Sequence, residues 1–161
     1  MGAGKSTLGK RLARALQLTY CDSDEELVNR TGASISLIFD VEGESGFRDR
    51  ESNLLDELTQ RDDLVLATGG GIVLREKNRQ MLKERGFVIY LYASLDRLYE
   101  RTRKDTSRPL LQTDDPRESL RKIVEQRAPL YEQTADLSVD TDDRPITQLI
   151  SHIKGQLPWK S

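Results

Sequence analysis

Apolar positions recur at two different spacings along this chain, and the alternation between them predicts strands separated by helices. Residues 5–16 place Leu8, Leu12, Ala15 and Leu16 on one helical face, with Lys10, Arg11 and Arg14 outside it. Residues 18–21 read as a short strand ending in Asp22-Ser23-Asp24, and residues 25–30 as a helix stopped by Thr31-Gly32. Ser34 can cap a short helix through about Val41, Gly43 and Gly46 break it, and 47–60 is a long helix burying Leu54, Leu55 and Leu58. A compact apolar strand over 64–68 runs directly into Gly69-Gly70-Gly71. A helix over 75–85 ends at Gly86, a strand spans 87–92, and Ser94 caps a helix to about Arg103. Residues 104–117 are polar, carry Pro109 and Pro116, and are long enough for a lid rather than a connector. A helix over 118–127 with its exit set by Pro129, a strand over 137–141 and a helix over 146–157 complete the pattern.

Short apolar strands that do not alternate, each followed by a helix, predict an α/β fold with a parallel sheet covered on both faces. Ligands of such sheets bind at the C-terminal ends of the strands. That rule selects the segments 2–7, 22–24 and 69–71. Neither repeats nor a linker divide the chain, so 1–161 is expected to be one domain.

Composition narrows the function classes. With 161 residues there is enough chain for a substantial core, and 32% charged against 36% hydrophobic residues fits a water-soluble protein. The net charge of −2 gives no bias toward nucleic acid or a membrane surface, so neither is expected as a partner. Cys21 stands alone, which excludes an internal disulfide and suits a reducing compartment. No apolar run approaches a membrane span and no signal peptide is read, so the expected location is the cytoplasm. His152 is the single histidine, and without a His/Cys cluster a zinc site is excluded.

The candidate chemistry starts at Gly2-Ala3-Gly4-Lys5-Ser6-Thr7, the back half of a P-loop. Backbone N–H groups of such a loop wrap phosphate oxygens, the lysine bridges the β- and γ-phosphates, and the following hydroxyl ligates Mg²⁺. The full pattern asks for a glycine ahead of Met1 and a buried strand before it. Asp22 is placed to reach the metal or its waters, or to take a proton from an attacking hydroxyl. Asp22 and Asp24 are two apart on a segment read as extended, so both side chains can point the same way. Asp24 could bind hydroxyls, and both carboxylates could equally cap the helix behind them. Three consecutive glycines after a buried strand suit backbone that approaches a ligand closely. Arg48 has Glu51 three residues on to hold its guanidinium. Arg48, Arg108 and Arg127 could each grip a carboxylate or phosphate through paired hydrogen bonds. The residues alone thus predict Mg²⁺-dependent transfer of a phosphoryl group from a nucleoside triphosphate to a small hydroxylated acceptor. A nucleic-acid motor would need a larger chain, and a GTPase would need an N-K-x-D element that is absent.

The segments GAGKST (2–7), DSD (22–24), FDVEGESGFRDRE (39–51), ATGGG (67–71), SRPLL (107–111) and QRAPLYEQTAD (126–136) together resemble the shikimate kinase family over nearly the whole chain. The resemblance implies ATP-dependent phosphorylation of the 3-hydroxyl of shikimate, on the way to chorismate and the aromatic amino acids. It implies the P-loop kinase three-layer sandwich with family strand order 2-3-1-4-5, a lid over 104–117 and a substrate-binding segment over 24–51. It further implies that Gly2, Ala3, Gly4, Lys5, Ser6 and Thr7 hold ATP phosphates, with Lys5 stabilising the transferring group. Ser6 and Asp22 would hold Mg²⁺, with Asp22 also the candidate base. Asp24 and Gly70, walled by Gly69 and Gly71, would bind shikimate hydroxyls, and Arg48 and Arg127 its carboxylate. Arg108 would close onto ATP, and Arg144 would lie on the adenine side. A monomer is expected. Two rivals stay open: a small-molecule kinase of the same fold such as gluconate kinase, and a non-catalytic nucleotide-binding relative.

The family begins with a further strand, the central one of its sheet, ahead of the position of Met1. The chain read from Met1 is therefore expected to lack strand 1: either its true start lies upstream, the preferred reading, or the protein is compromised. The strands over 64–68 and 87–92 would then lose their shared neighbour. An unsatisfied buried backbone group costs roughly 1–3 kcal/mol, against a total stability of about 5–15 kcal/mol. Extending the chain upstream is expected to raise its melting temperature and ATP affinity.

Overall fold

The structure, a computed structural model, describes residues 2–103, 111 and 113–159. Helix α1 (Lys5–Leu16) leads into β1 (Thr19–Asp22), α2 (Ser23–Thr31) and α3 (Ile35–Leu58). Strand β2 (Leu64–Ala67) follows, then a 3-10 turn over Ile72–Leu74 and α4 (Glu76–Arg85). The chain closes with β3 (Ile89–Tyr92), α5 (Leu95–Thr102), α6 (Pro116–Thr134), β4 (Leu137–Asp140) and α7 (Ile146–Gln156).

The strands form two parallel pairs. β1 lies beside β2 with Asp22 opposite Ala67, and β3 beside β4 with Tyr92 opposite Asp140. β2 and β3 are not hydrogen-bonded to each other. Between them lies a cavity of about 670 Å³, lined by Leu8 and Leu12 of α1, Val65 and Leu66 of β2, and Tyr90 and Leu91 of β3. Its presence leaves Leu64, Val65 and Leu66 and Ile89, Tyr90 and Leu91 only half-buried, where inner strands of a parallel sheet are normally fully covered. The expected separation of these two strands is thus observed.

Helix α1 spans the division. It packs on β1, β2 and α7, and its Leu8 and Leu12 share a core with Val139, Leu149, Ile153 and Leu157. A second core joins Leu27 of α2 to Ile38, Phe47, Leu54 and Leu58 of α3.

Several element boundaries differ from the sequence reading. The span α3 consists of the two predicted helices joined across a kink at Gly43, at φ 71° and ψ 178°, where the sequence placed a break. Those angles suit glycine and no residue with a Cβ. Gly46 stays within the helix, so it is not a breaker. Helix α6 begins at Pro116 instead of residue 118, because the Asp115 carboxylate caps it by accepting from the Glu118 N–H at 3.0 Å. It also runs through Pro129 to Thr134, where the sequence predicted an exit. A proline removes one internal hydrogen bond, and the burial of Thr134 and Arg127 against the rest of the protein holds the helix together across it. Helix α2 begins at Ser23, two residues early, for a reason that lies in the site itself. Most of the predicted lid, 104–117, lies outside the described residues.

Candidate active site

The first turn of α1 is unusually bare. Gly4 caps it in the left-handed region at φ 87°, no side chain satisfies its N–H groups, and no acidic residue lies in the turn. Free N–H groups and the positive end of the helix dipole attract an anion. Ser6 and Thr7 are exposed, and Lys5 is half-buried at the edge of the cavity. Gly2 packs against α5 so closely that a Cβ would meet Thr102 Cγ2 at 3.0 Å and the Leu98 carbonyl at 3.1 Å. Arg101 secures the same place, donating to the Gly2 carbonyl at 3.1 Å and the Thr141 carbonyl at 3.4 Å.

Asp22 divides its two oxygens between two tasks. Oδ1 accepts from the N–H groups of Asp24 at 3.0 Å and Glu25 at 3.3 Å, which starts α2 at Ser23. Oδ2 faces the phosphate loop and accepts from the Ser6 hydroxyl at 3.3 Å and from Tyr20 Oη at 3.4 Å. Capping and a metal-side position are therefore compatible. Asp24 sits in the first turn of α2 and not on an extended segment, so the two carboxylates do not project as strand neighbours. The Tyr20 hydroxyl is raised above its ordinary pKa chiefly by burial, and it remains a donor to Asp22 at neutral pH.

The glycine segment after β2 forms a wall against which several side chains press. A Cβ on Gly69 would fall 2.9 Å from Asp24 Oδ1 and 3.0 Å from Glu51 Oε1. A Cβ on Gly71 would fall 2.2 Å from Arg48 Nη1. Asp24, Glu51 and Arg48 are thus gathered on one surface by the absence of side chains on Gly69 and Gly71. The Gly69 N–H donates to the buried Ser23 hydroxyl at 3.3 Å, which ties this wall to the start of α2.

Arg48 and Arg127 are buried, at 7% and 5% exposure. Arg48 Nη1 donates to Glu51 Oε2 at 2.8 Å, the pairing expected from their spacing. Glu51 is itself almost fully buried, and burial pushes its carboxyl above the usual range although Arg48 opposes the shift. Asp24 and Arg127 also act on Glu51 electrostatically, which places all four groups in one neighbourhood. Arg48 Nε, Arg127 Nε and Glu51 Oε1 are buried with no hydrogen-bond partner in the protein. Buried polar atoms are nearly always satisfied. Orphans clustered on two guanidiniums mark a place that an anionic ligand with several oxygens would complete.

Arg144 is exposed in the bend after β4, on the side of Thr141 and Arg101. Arg108 lies outside the described residues. The sequence reading missed Arg101, Ser23 and Tyr131, whose hydroxyl donates to the Gly70 carbonyl. Ser23 and Tyr131 lie inside segments that carry the resemblance but were given no role there, and Arg101 lies in none; each acts by reaching across to another element. A metal would find the Ser6 hydroxyl and Asp22 carboxylate side by side, an oxygen pair suited to a hard cation that takes its other ligands from phosphates and water. Among the described residues no group of three or more His, Cys, Asp or Glu could hold a metal alone.

Comparison with known proteins agrees with this geometry. The family model described as shikimate kinase matches residues 1–158. The chain is 53% identical to a shikimate kinase of Bordetella avium over 98% of its own length and 75% of the relative's. It is 52% identical to one of Burkholderia thailandensis over 98% and 85%. Among solved structures, shikimate kinase from Acinetobacter baumannii in complex with shikimate superimposes with a TM-score of 0.92 at 46% identity, covering 95% of this chain and 86% of that one. The enzyme from Aquifex aeolicus gives 0.78 at 31%, covering 95% and 88%. The expected P-loop kinase architecture is therefore the one present, and the chain belongs to the shikimate kinase family.

Proposed function

We propose that this chain transfers the γ-phosphoryl group of ATP to the 3-hydroxyl of shikimate with the residues gathered above. The observation that carries the assignment is the pair of buried guanidiniums, Arg48 and Arg127, each with an unpartnered Nε beside the glycine wall. Glu51 and the more exposed Glu44 both pair with Arg48, at 2.8 Å and 3.3 Å, so the Nε atoms of Arg48 and Arg127 are what a substrate carboxylate would complete. Asp24 and the backbone of Gly70 border the same space and suit ring hydroxyls.

The phosphates of ATP sit in the bare first turn of α1, with Gly2, Ala3, Gly4 and Thr7 as its backbone cradle and Lys5 against the transferring group. Ser6 Oγ and Asp22 Oδ2 would hold Mg²⁺, which when bound neutralises charge on the phosphate oxygens. Asp22 is also our candidate to take the acceptor's hydroxyl proton, a role in which its Oδ2 would reach the metal through a water instead of directly, since Oδ1 caps α2. Arg108 and Arg144 complete the nucleotide side. Positioning and charge neutralisation are most of what phosphoryl transfer asks of a protein. The lid spans about 104–117, within one domain over 1–161.

We place the enzyme in the cytoplasm as a monomer that works on small molecules. No helix among the described residues is long and apolar enough to cross a membrane. A coupled assay of ADP release with shikimate and with gluconate, each with and without Mg²⁺, tests the proposal. Metal-dependent turnover with shikimate alone is expected, and turnover with gluconate at a comparable rate would overturn it.

A further inference from the structure

The carbonyls of the glycine wall are held in an unequal way. The Gly69 carbonyl accepts from the Ile72 N–H at 3.2 Å and the Gly71 carbonyl from the Leu74 N–H at 3.1 Å, both within the 3-10 turn. The Gly70 carbonyl between them points away from that turn and accepts from Tyr131 Oη, a donor 61 residues distant on α6. No described residue accepts from the Gly70 N–H.

Tyr131 stands four residues after Arg127, one helical turn along the same face of α6. Its ring stacks on Tyr90 of β3, with centroids 4.9 Å apart and an interplanar angle of 27°. Arg127, Arg48 and Glu51 all act on its hydroxyl electrostatically, so it borders the same cluster. One side chain therefore touches the glycine wall, the helix of the buried arginine and the far pair of strands.

We infer that Tyr131 is a positioning residue for the acceptor: its hydroxyl bond to the Gly70 carbonyl fixes the distance between the Gly70 N–H and the Arg127 guanidinium, and with it the span from carboxylate to ring hydroxyl that the site accepts. The hydrogen bond turns the 70–71 peptide so that its carbonyl faces α6. The neighbouring N–H of Gly70 is left for the ligand. A glycine peptide has little preference of its own, so without this bond the wall would sample other orientations. Burial holds the Tyr131 hydroxyl in its protonated, donating form, against the opposite pull of Arg127.

This inference rests on the shikimate assignment, and the test separates the two. Tyr131→Phe keeps the ring and its stacking on Tyr90 while removing the donor. Calorimetry with shikimate alone is expected to show about tenfold weaker binding, the factor that one lost hydrogen bond of ordinary strength corresponds to. The KM for ATP should not change, and amide exchange at Gly70 and Gly71 in the free protein should quicken. Tyr90→Leu, which removes the stacking and keeps the hydroxyl bond, should lower the melting temperature with a smaller change in shikimate affinity. Unchanged shikimate affinity and unchanged exchange in Tyr131→Phe would overturn the inference. So would an equal loss for ATP and shikimate, or an equal loss of shikimate affinity in Tyr90→Leu. If the unaltered protein bound no shikimate, the functional assignment would fall, while the exchange measurement would still report whether Tyr131 orders the wall.

Discussion

The Arg48 guanidinium occupies the space in which a Cβ on Gly71 would sit: that Cβ would lie 2.2 Å from Nη1 and 2.3 Å from Cζ. Arg48 cannot retreat freely, because it is buried and bound to Glu51 at 2.8 Å. Gly71→Ala should therefore push the guanidinium off its place. Overpacking of this kind destabilises by about 1–3 kcal/mol. The sharper expectation is kinetic: the KM for shikimate should rise at least about tenfold while the KM for ATP stays within about twofold. Equal effects on both would mean that Arg48 does not face the acceptor.

Lys5→Ala should lower kcat by about 10²–10³-fold, the scale seen when one preorganised charge-stabilising donor is removed. Shikimate affinity should survive, since Lys5 belongs to the phosphate loop. Ser6→Ala should shift half-saturation by Mg²⁺ to higher concentration, because the hydroxyl beside Asp22 is lost. Steady-state kinetics across a magnesium series checks both, and a Lys5→Ala enzyme within about tenfold of the unaltered one would refute the role given to this lysine.

Glu51 should leave a signature in stability against pH. Burial raises its carboxyl above the ordinary value of 4.5, with Arg48 opposing. A folded-state pKa above the unfolded one means that the folded protein keeps a proton the unfolded chain has released. The contribution is complete below about 4.5 and is lost as pH rises through the folded value. The melting temperature of the unaltered protein, measured relative to Glu51→Gln, should therefore fall as pH rises above the ordinary value of 4.5. A difference independent of pH would show that Glu51 titrates normally.

Much of this was legible from sequence because the signals were local. The periodicity of Leu8, Leu12 and Leu16 marked α1, and the run Leu64–Ala67 marked β2 before its glycines. The i to i+3 spacing of Arg48 and Glu51 gave their ion pair. The separation of β2 from β3 followed from the resemblance and not from any residue pattern. What escaped was set by tertiary contacts. Asp22 starts α2 early by turning one oxygen onto two backbone N–H groups, which no spacing rule distinguishes from a strand-end carboxylate. Pro129 looked like a terminator because local propensity ignores the burial of Arg127 and Thr134 around it. Tyr131, Ser23 and Arg101 each act on a backbone group far away in the chain, so their importance appears only when the elements meet.

Asp22, Asp24, Arg48 and the glycine wall all hang from the β1–β2 pair, while Arg101 and Arg144 belong to the β3–β4 side. The grip on the acceptor is therefore shared, since Arg127 and Tyr131 come from α6, which leads into β4. A misplacement of about 1 Å can slow a reaction about 10²-fold. The bond from Tyr131 to the Gly70 carbonyl is thus the pin that keeps the two halves of that grip in register.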